Sequence, residues 1–162
     1  MGRYARYSKN VSYRIRPAIA ADIPAIVAFN AAMALETENK QLDQAILTAG
    51  VTNLMSHADY GFYLVAESDA GETAGCLMIT YEWSDWRDGL FWWVQSVYVA
   101  VPHRGCGVYR SLYDHVKQLA RESGHACGFR LYVEEHNDAA QATYRRLGMH
   151  RTHYLMFEEE LA

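Results

Sequence analysis

Val97-Tyr98-Val99-Ala100-Val101-Pro102-His103-Arg104-Gly105-Cys106-Gly107-Val108-Tyr109 is the stretch on which the fold turns. Its start closes a run, residues 90–101, that is nearly all apolar. Such a run suits a central strand buried on both faces. Two glycines break the pattern. Val108, Leu112, Val116, Leu119 and Ala120 then recur as one helical stripe, stopped near Gly124. The stretch therefore reads as strand, glycine turn, helix. Glycines at such a junction permit positive φ and let a ligand approach the backbone. The N–H groups of a helix start favour an anion, and a phosphate or pyrophosphate is the natural occupant. A plain turn built on two glycines fits the same residues. No GK[ST] follows and no GxGxxG is present, so this is neither a P-loop nor a dinucleotide fingerprint.

Upstream, residues 12–17 alternate Tyr13 and Ile15 as a first strand. Asp22 is a good N-cap with Pro24 in the turn after it. Ile23, Ile26, Val27 and Asn30 continue a helix to an end near Leu35. A polar connection, residues 36–41, leads to a second N-cap, Asp43, and a helix through about Ser56 that Gly50 weakens. Residues 62–67 and 73–81 read as strands joined by the turn Asp69-Ala70-Gly71-Glu72, and residues 84–89 as a longer loop. Downstream, residues 129–134 are a strand, residues 138–147 a helix closed by Gly148, and residues 153–158 a last strand. The order β-α-α-β-β-β-α-β-α-β predicts an α/β domain with a mixed sheet and about four helices. The early hairpins are antiparallel, and the crossover helix makes the strands at 90–101 and 129–134 parallel. One domain is expected over residues 12–162, preceded by a flexible basic arm, residues 1–11.

Composition narrows the function. Charged residues are 21% and the AVILMFWYC set 51%, which suits a packed core and not a disordered chain. Apolar runs such as Leu90-Phe91-Trp92-Trp93-Val94 fall far short of the ~18 residues of a membrane helix. No apolar segment follows the basic start as it would in a secretory signal, so neither export nor a membrane partner is expected. Arg3, Arg6, Lys9, Arg14 and Arg16 stand before the first acid, while the rest of the chain carries the other 10 basic groups and all 19 acidic ones. An acidic body argues against nucleic acid and favours a cationic small molecule, although many cytosolic proteins are simply acidic. Cys76, Cys106 and Cys127 are odd in number and lack CxxC spacing, which reads as a reducing, cytoplasmic compartment. The seven histidines show no HxxxH or HExxH spacing, so no metal is expected.

A second informative stretch is Asn137-Asp138-Ala139-Ala140-Gln141-Ala142-Thr143-Tyr144-Arg145-Arg146-Leu147-Gly148-Met149. Two helical turns separate Asn137 from Tyr144 and put them, with Ala140, on one face against which a ligand can lie. An N-cap Asn and a core Tyr would leave the same pattern. Together the two stretches resemble the GNAT (Gcn5-related) N-acetyltransferase superfamily. Its motif N-x-x-A-x-x-x-Y-x-x-x-G-[FM] is matched by Asn137, Ala140, Tyr144, Gly148 and Met149. Its [QR]-x-x-G-x-[GA] pattern is matched by Arg104 and Gly107 and departs at Tyr109, whose ring either crowds the phosphates or covers them.

The resemblance implies a GNAT fold, with strands splayed at a cofactor cleft, and acetyl-CoA as the cofactor. Val97, Tyr98 and Val99 would pair with the pantetheine arm. Arg104 and the turn Gly105, Cys106, Gly107, Val108, Tyr109 and Arg110 would hold the pyrophosphate. Asn137 and Ala140 would contact the cofactor, and Tyr144 would give a proton to the departing thiolate. An amine would attack the thioester directly in a ternary complex, with a backbone N–H at the splay steadying the oxyanion. Cys106 is then small filler and not a nucleophile. The central strand carries no acid after Leu90, so the base must come from elsewhere: Glu82 or Asp85 are the candidates. Glu36 and Glu38, with Trp83, Trp86 and Gln95, are the candidate acceptor contacts, since carboxylates beside aromatic faces attract cations. Acetylation of a protein N-terminus or lysine, and a non-catalytic acyl-CoA-binding module, are the alternatives. Homodimers are common among such proteins.

Overall fold

The computed structural model describes residues 12–161, and the expected basic arm at 1–11 lies outside them. The chain gathers into two compact units, one ending at Leu131 and one beginning at Tyr132. The first holds a five-stranded mixed sheet in the order β1-β2-β3-β4-β5. Its strands are β1 (Tyr13–Pro17), β2 (Gly61–Ser68), β3 (Thr73–Ser84), β4 (Gly89–Val99) and β5 (Ala126–Arg130). The first four pair antiparallel, and β4 pairs β5 in parallel. The sequence order thus becomes spatial order, and the crossover through α3 (Val108–Ser123) gives the parallel pair.

Strand alternation sends Tyr63, Val65, Cys76 and Met78 to one face, where they pack with Ile26 and Val27 of α1 (Ile23–Glu38) and Val51 of α2 (Gln44–Ser56). The opposite face receives α3. Val108, Leu112, Tyr113, Val116 and Ala120 are its buried stripe, and Tyr113 meets Phe129 edge-on at 5.6 Å. Asp43 caps α2 as expected, accepting from the N–H groups of Ala45 and Ile46 at 2.9 Å.

Beside β3, which runs past the expected 73–81 to Ser84, three departures from the sequence reading stand out. First, α1 runs on to Glu38, because nothing stops it until Asn39 takes the left-handed conformation (φ 52°). Second, the strand expected at 129–134 forms over Ala126–Arg130. Gly128 looks like a strand breaker, but a Cβ there would lie 2.7 Å from the Phe91 ring, so the close packing of β4 requires glycine. Third, residues 153–158 have strand-forming side chains but join no ladder among the described residues, and a strand exists only through a partner's hydrogen bonds.

Asp22 stands at the N-cap of α1, yet its carboxylate does not cap that helix. It takes a bidentate pair from Arg16 at 2.7 and 3.0 Å and the Ile19 N–H at 2.8 Å. Arg16 Nε also donates to Glu67 at 2.9 Å, so one guanidinium ties β1, β2 and the start of α1. The Arg16 bonds and the Ile19 N–H hold the Asp22 carboxyl below its usual pKa against the opposing effect of burial. A depressed carboxylate contributes stability above its unfolded pKa, near 3.9, and loses it as pH falls through the folded value. Asp22→Asn should therefore cost about 1–3 kcal/mol at pH 7. The gap between variant and parent in urea unfolding should narrow progressively as pH falls below about 4. A gap that stays constant with pH would show that the charge of Asp22 is not what stabilises the fold.

Candidate active site

β4 is paired along its full length by β3, from Gly75↔Val99 to Ser84↔Gly89. On its other side the ladder with β5 runs only from Leu90↔Ala126 to Trp93↔Arg130, where β5 ends. The β4 edge at residues 94–99 therefore has no β5 partner, and Val97, Tyr98 and Val99 lie on it. The register on the β3 side slips here. Met78 faces Gln95 but Cys76 faces Tyr98, so Ser96 and Val97 stand opposite Leu77 alone. This is a β-bulge, with Ser96 in the left-handed region at φ 48°.

The chain leaves β4 through a single 3-10 turn, Val101–His103, and reaches Gly105 and Gly107 with φ of 76° and 83°. Gly107 is the N-cap of α3 and brings no side chain to its first-turn N–H groups; the first backbone bond into the helix is Ser111 N–H to Gly107 O at 3.0 Å. A Cβ added at Gly105 or Gly107 would meet no atom within 4 Å, so the loop surface is open to a ligand. Val108 is buried and anchors the helix start, while Cys106 and Arg110 are exposed. The Tyr109 ring stacks on Tyr113 at 6.1 Å, one turn further into α3, so it runs along the helix.

Arg104 and Glu36 meet. Arg104 Nη2 lies 2.7 Å from Glu36 Oε2, and its Nε donates to Val99 O at 2.9 Å. The Tyr98 hydroxyl donates to Glu36 Oε1 at 2.8 Å, and the guanidinium sits over the Tyr98 ring. The Tyr98 hydroxyl and Arg104 together hold the Glu36 carboxyl below its ordinary range. The last turn of α1 is thus latched to the end of β4 and the glycine loop. Glu36 and Glu38, expected in a connection, both lie in that last turn, and Glu38 is exposed.

The other acceptor candidates do not gather in one place. Glu82 and Trp83 are successive strand residues and point to opposite faces. Glu82 accepts from Trp93 Nε1 and Arg130 Nη1, both at 2.5 Å, and the Arg130 guanidinium lies 3.7 Å from the Phe91 ring centroid. Gln95 Nε2 donates to Thr80 Oγ1 on the same face. Glu82, Thr80, Trp93, Gln95 and Arg130 therefore form one polar patch. Trp83 is 60% exposed on the other face, and Trp86, 86% exposed, sits at the hairpin tip, where Asp85 accepts from the Trp86 N–H. The expectation that carboxylates and aromatic faces sit together as acceptor contacts is corrected to this extent: Trp83 faces away from Glu82, and Trp92 and Tyr81 pack with Phe62 on that other face. Arg130 and Thr80 were missed. Their signal is cross-strand register, which only the paired sheet supplies.

The second unit holds α4 (Asp138–Arg146). Asn137 Oδ1 caps it by accepting from Ala140 N–H at 3.1 Å. At the other end Gly148 (φ 92°) bonds to Arg145 O and Met149 N–H to Tyr144 O, at 3.1 and 3.0 Å. This is a Schellman closure. The Asn and the Gly-Met of the motif are thus the two caps of one short helix, with Ala140 and Tyr144 partly buried along it. Burial raises the Tyr144 phenol above its ordinary pKa.

A strand edge left open, leading into a glycine loop at a helix start, is the arrangement the sequence resemblance implies. The family model for the acetyltransferase (GNAT) family matches residues 29–149. The chain belongs to the GNAT acetyltransferase family. A possible acetyltransferase from Clostridium difficile 630 shares 40% identity over 93% of this chain and 98% of its own, with a TM-score of 0.86. The aminoglycoside 6'-N-acetyltransferase AAC(6')-Ih from Acinetobacter baumannii shares 14% identity at TM-score 0.71, covering 93% and 99% of the two chains. A predicted acetyltransferase with acetyl-CoA from Clostridium acetobutylicum shares 16% identity at TM-score 0.73, covering 91% and 96%. At these lower identities the likeness is one of fold. No curated protein matches the chain.

In this GNAT acetyltransferase the loop depends on a left-handed residue at 107 with space around it. Gly107→Val should cost about 1–3 kcal/mol of stability through backbone strain. Gly107→Asn should cost less, because Asn tolerates the left-handed region. Urea unfolding of the two variants checks this, and equal losses would point to something other than φ.

Proposed function

We propose that this GNAT protein moves an acetyl group from acetyl-CoA to an amine of a small, cationic molecule by direct attack in a ternary complex. The observation that carries the reading is the β4 edge beyond Trp93, left without a strand partner among the described residues and running straight into the open glycine loop. An extended, amide-bearing arm can complete such an edge as a strand does. The N–H groups at the start of α3 suit the pyrophosphate. In this reading Val97, Tyr98 and Val99 bind the pantetheine arm, and Arg104 and Gly105 to Arg110 bind the phosphates. Asn137, whose Oδ1 is committed to its helix, offers its Nδ2 to the cofactor, and Ala140 leaves that face clear. Acetyl-CoA supplies the acetyl group as a thioester.

A primary amine has a pKa near 10 and arrives protonated. Glu82 takes that proton, directly or through water, and Asp85 at the hairpin tip is the second candidate. Trp93 and Arg130 fix the Glu82 carboxylate on the sheet face that also presents Gln95. Glu36 and Glu38 remain acceptor contacts in this reading, with Glu36 reaching the acceptor only as its latch to Arg104 opens, while Trp83 and Trp86 lie away from the face that presents Glu82 and Gln95. Tyr144 protonates the leaving thiolate, and its raised pKa keeps the phenol protonated through neutral pH. Among the described residues no helix is long and apolar enough to cross a membrane. Free Cys76, Cys106 and Cys127 support a reducing compartment, which we take to be the cytoplasm.

Acetyl-CoA at 100 times its Kd should stabilise the protein by about 2.7 kcal/mol and raise Tm by about 5–10 °C. Thiol release across a panel of polyamines, aminoglycosides, amino acids and lysine peptides then identifies the acceptor. Release with peptides alone would favour a protein acetyltransferase. Cofactor binding with no release on any amine would favour a binding module. Tyr144→Phe should lower kcat about 100-fold while CoA affinity is nearly kept. Any fall in rate above pH 10 that comes from this group should disappear with it, since a general acid works only below its pKa. A loss under threefold, with chemistry rate-limiting, would demote Tyr144 to packing.

A further inference from the structure

The bulge in β4 needs something to hold it. Ser96 has a Cβ and sits at φ 48°, where only glycine is comfortable. A residue held there costs about 1–3 kcal/mol and persists only where its surroundings over-determine it. Two side chains from other elements lie against it, and a third backs one of them. The Cys76 thiol of β3 donates to Ser96 O at 3.6 Å. Burial pushes that thiol up to about 12, so it stays protonated and remains a donor. Burial raises the Tyr63 phenol of β2, and the Ser96 side chain lies close enough to that hydroxyl to oppose the rise, as Asn30 does. Asn30 of α1 donates from Nδ2 to the same hydroxyl at 3.3 Å. Asn30 and Tyr63 are only 4% exposed each, so these polar groups sit in the apolar cluster between helix and sheet. Asn30 Oδ1 is buried there without a hydrogen-bond partner. Buried polar groups are expensive unless they do something the fold or the site requires.

We propose that Asn30, Tyr63 and Ser96 form a buried polar strut from α1 through β2 to β4, and that it fixes the bulge where the sheet opens. Tyr63 and Asn30 are then positioning residues. They touch no substrate, but they set the direction of the backbone N–H groups between Ser96 and Tyr98. In the proposed acetyl transfer those groups face the developing oxyanion, where misdirected donors cost rate and not ground-state binding. This use of the strut rests on the proposed function; its effect on the backbone does not.

The test separates the two. In Tyr63→Phe the ring stays and the hydroxyl goes. Amide hydrogen exchange at Ser96, Val97 and Tyr98 should speed up about tenfold more than at Leu64 and Leu77, because the opening is local. The same acceleration at all five amides would mean general destabilisation and would overturn the strut. Should Tyr63→Phe not fold, Asn30→Leu removes the donor at the far end and should give the same local pattern. In acetyl transfer, Tyr63→Phe should lower kcat about tenfold with the KM for acetyl-CoA within twofold. Adding Ser96→Gly, which suits positive φ without support, should restore part of the lost kcat. An unchanged kcat, or a double variant worse than Tyr63→Phe alone, would overturn the positioning role. A parent protein without acetyl transfer would remove the proposed function and leave the exchange result to decide the strut.

Discussion

A strand in the middle of a sheet must satisfy its backbone on two sides, and among the described residues β4 has a strand partner on one side only beyond Trp93. The rest of the first unit is arranged around that deficit. β3 pairs the whole of β4 and fixes its position. β5 stops at Arg130, while β4 continues to Val99. The bulge at Ser96 sits on the stretch that β5 leaves open. The 3-10 turn and the two left-handed glycines then carry the chain from the open edge to the start of α3, which the buried Val108 and Leu112 hold against the sheet. An open edge is usually a liability. Here it leads into the glycine loop and the N–H groups at the start of α3, and backbone groups on a packed sheet and helix need little reorganisation to act.

Charge is deployed around this site with restraint. Arg104 is paired with Glu36 and stacked over Tyr98, so its charge is partly offset and the N–H groups of α3 with their dipole add to anion attraction at the loop. The Glu36–Arg104 pair is exposed and contributes little stability by itself. Its importance is positional, because it ties the last turn of α1 to the end of β4 and the glycine loop. Arg130 and Glu82 repeat the pattern on the sheet face, where the carboxylate is fixed by Trp93 as well.

Much of the fold was legible in residue order. Periodicity located α2 and α3 within a residue or two, and the apolar run before Val101 marked β4 as central. The misplaced strand was β5, because Gly128 argues against a strand unless the Phe91 ring opposite it is known. The end of α1 was missed for the opposite reason: Asn39 is a left-handed cap that leaves only a weak mark in sequence. Within the candidate site, the glycine loop and the Asn137–Gly148 motif were readable because their spacing is local. The polar patch of Glu82, Thr80, Trp93, Gln95 and Arg130 was not, since it exists only through cross-strand register.

The central claim is that acetyl-CoA completes the open edge of β4 and caps the start of α3. Amide hydrogen exchange on the free protein and on the protein saturated with acetyl-CoA tests this most directly. The account predicts that protection rises at Val97–Val99 and across residues 105–110, and little within β1 and β2. Saturation that leaves those two segments unprotected, or protects a different part of the chain, would contradict it.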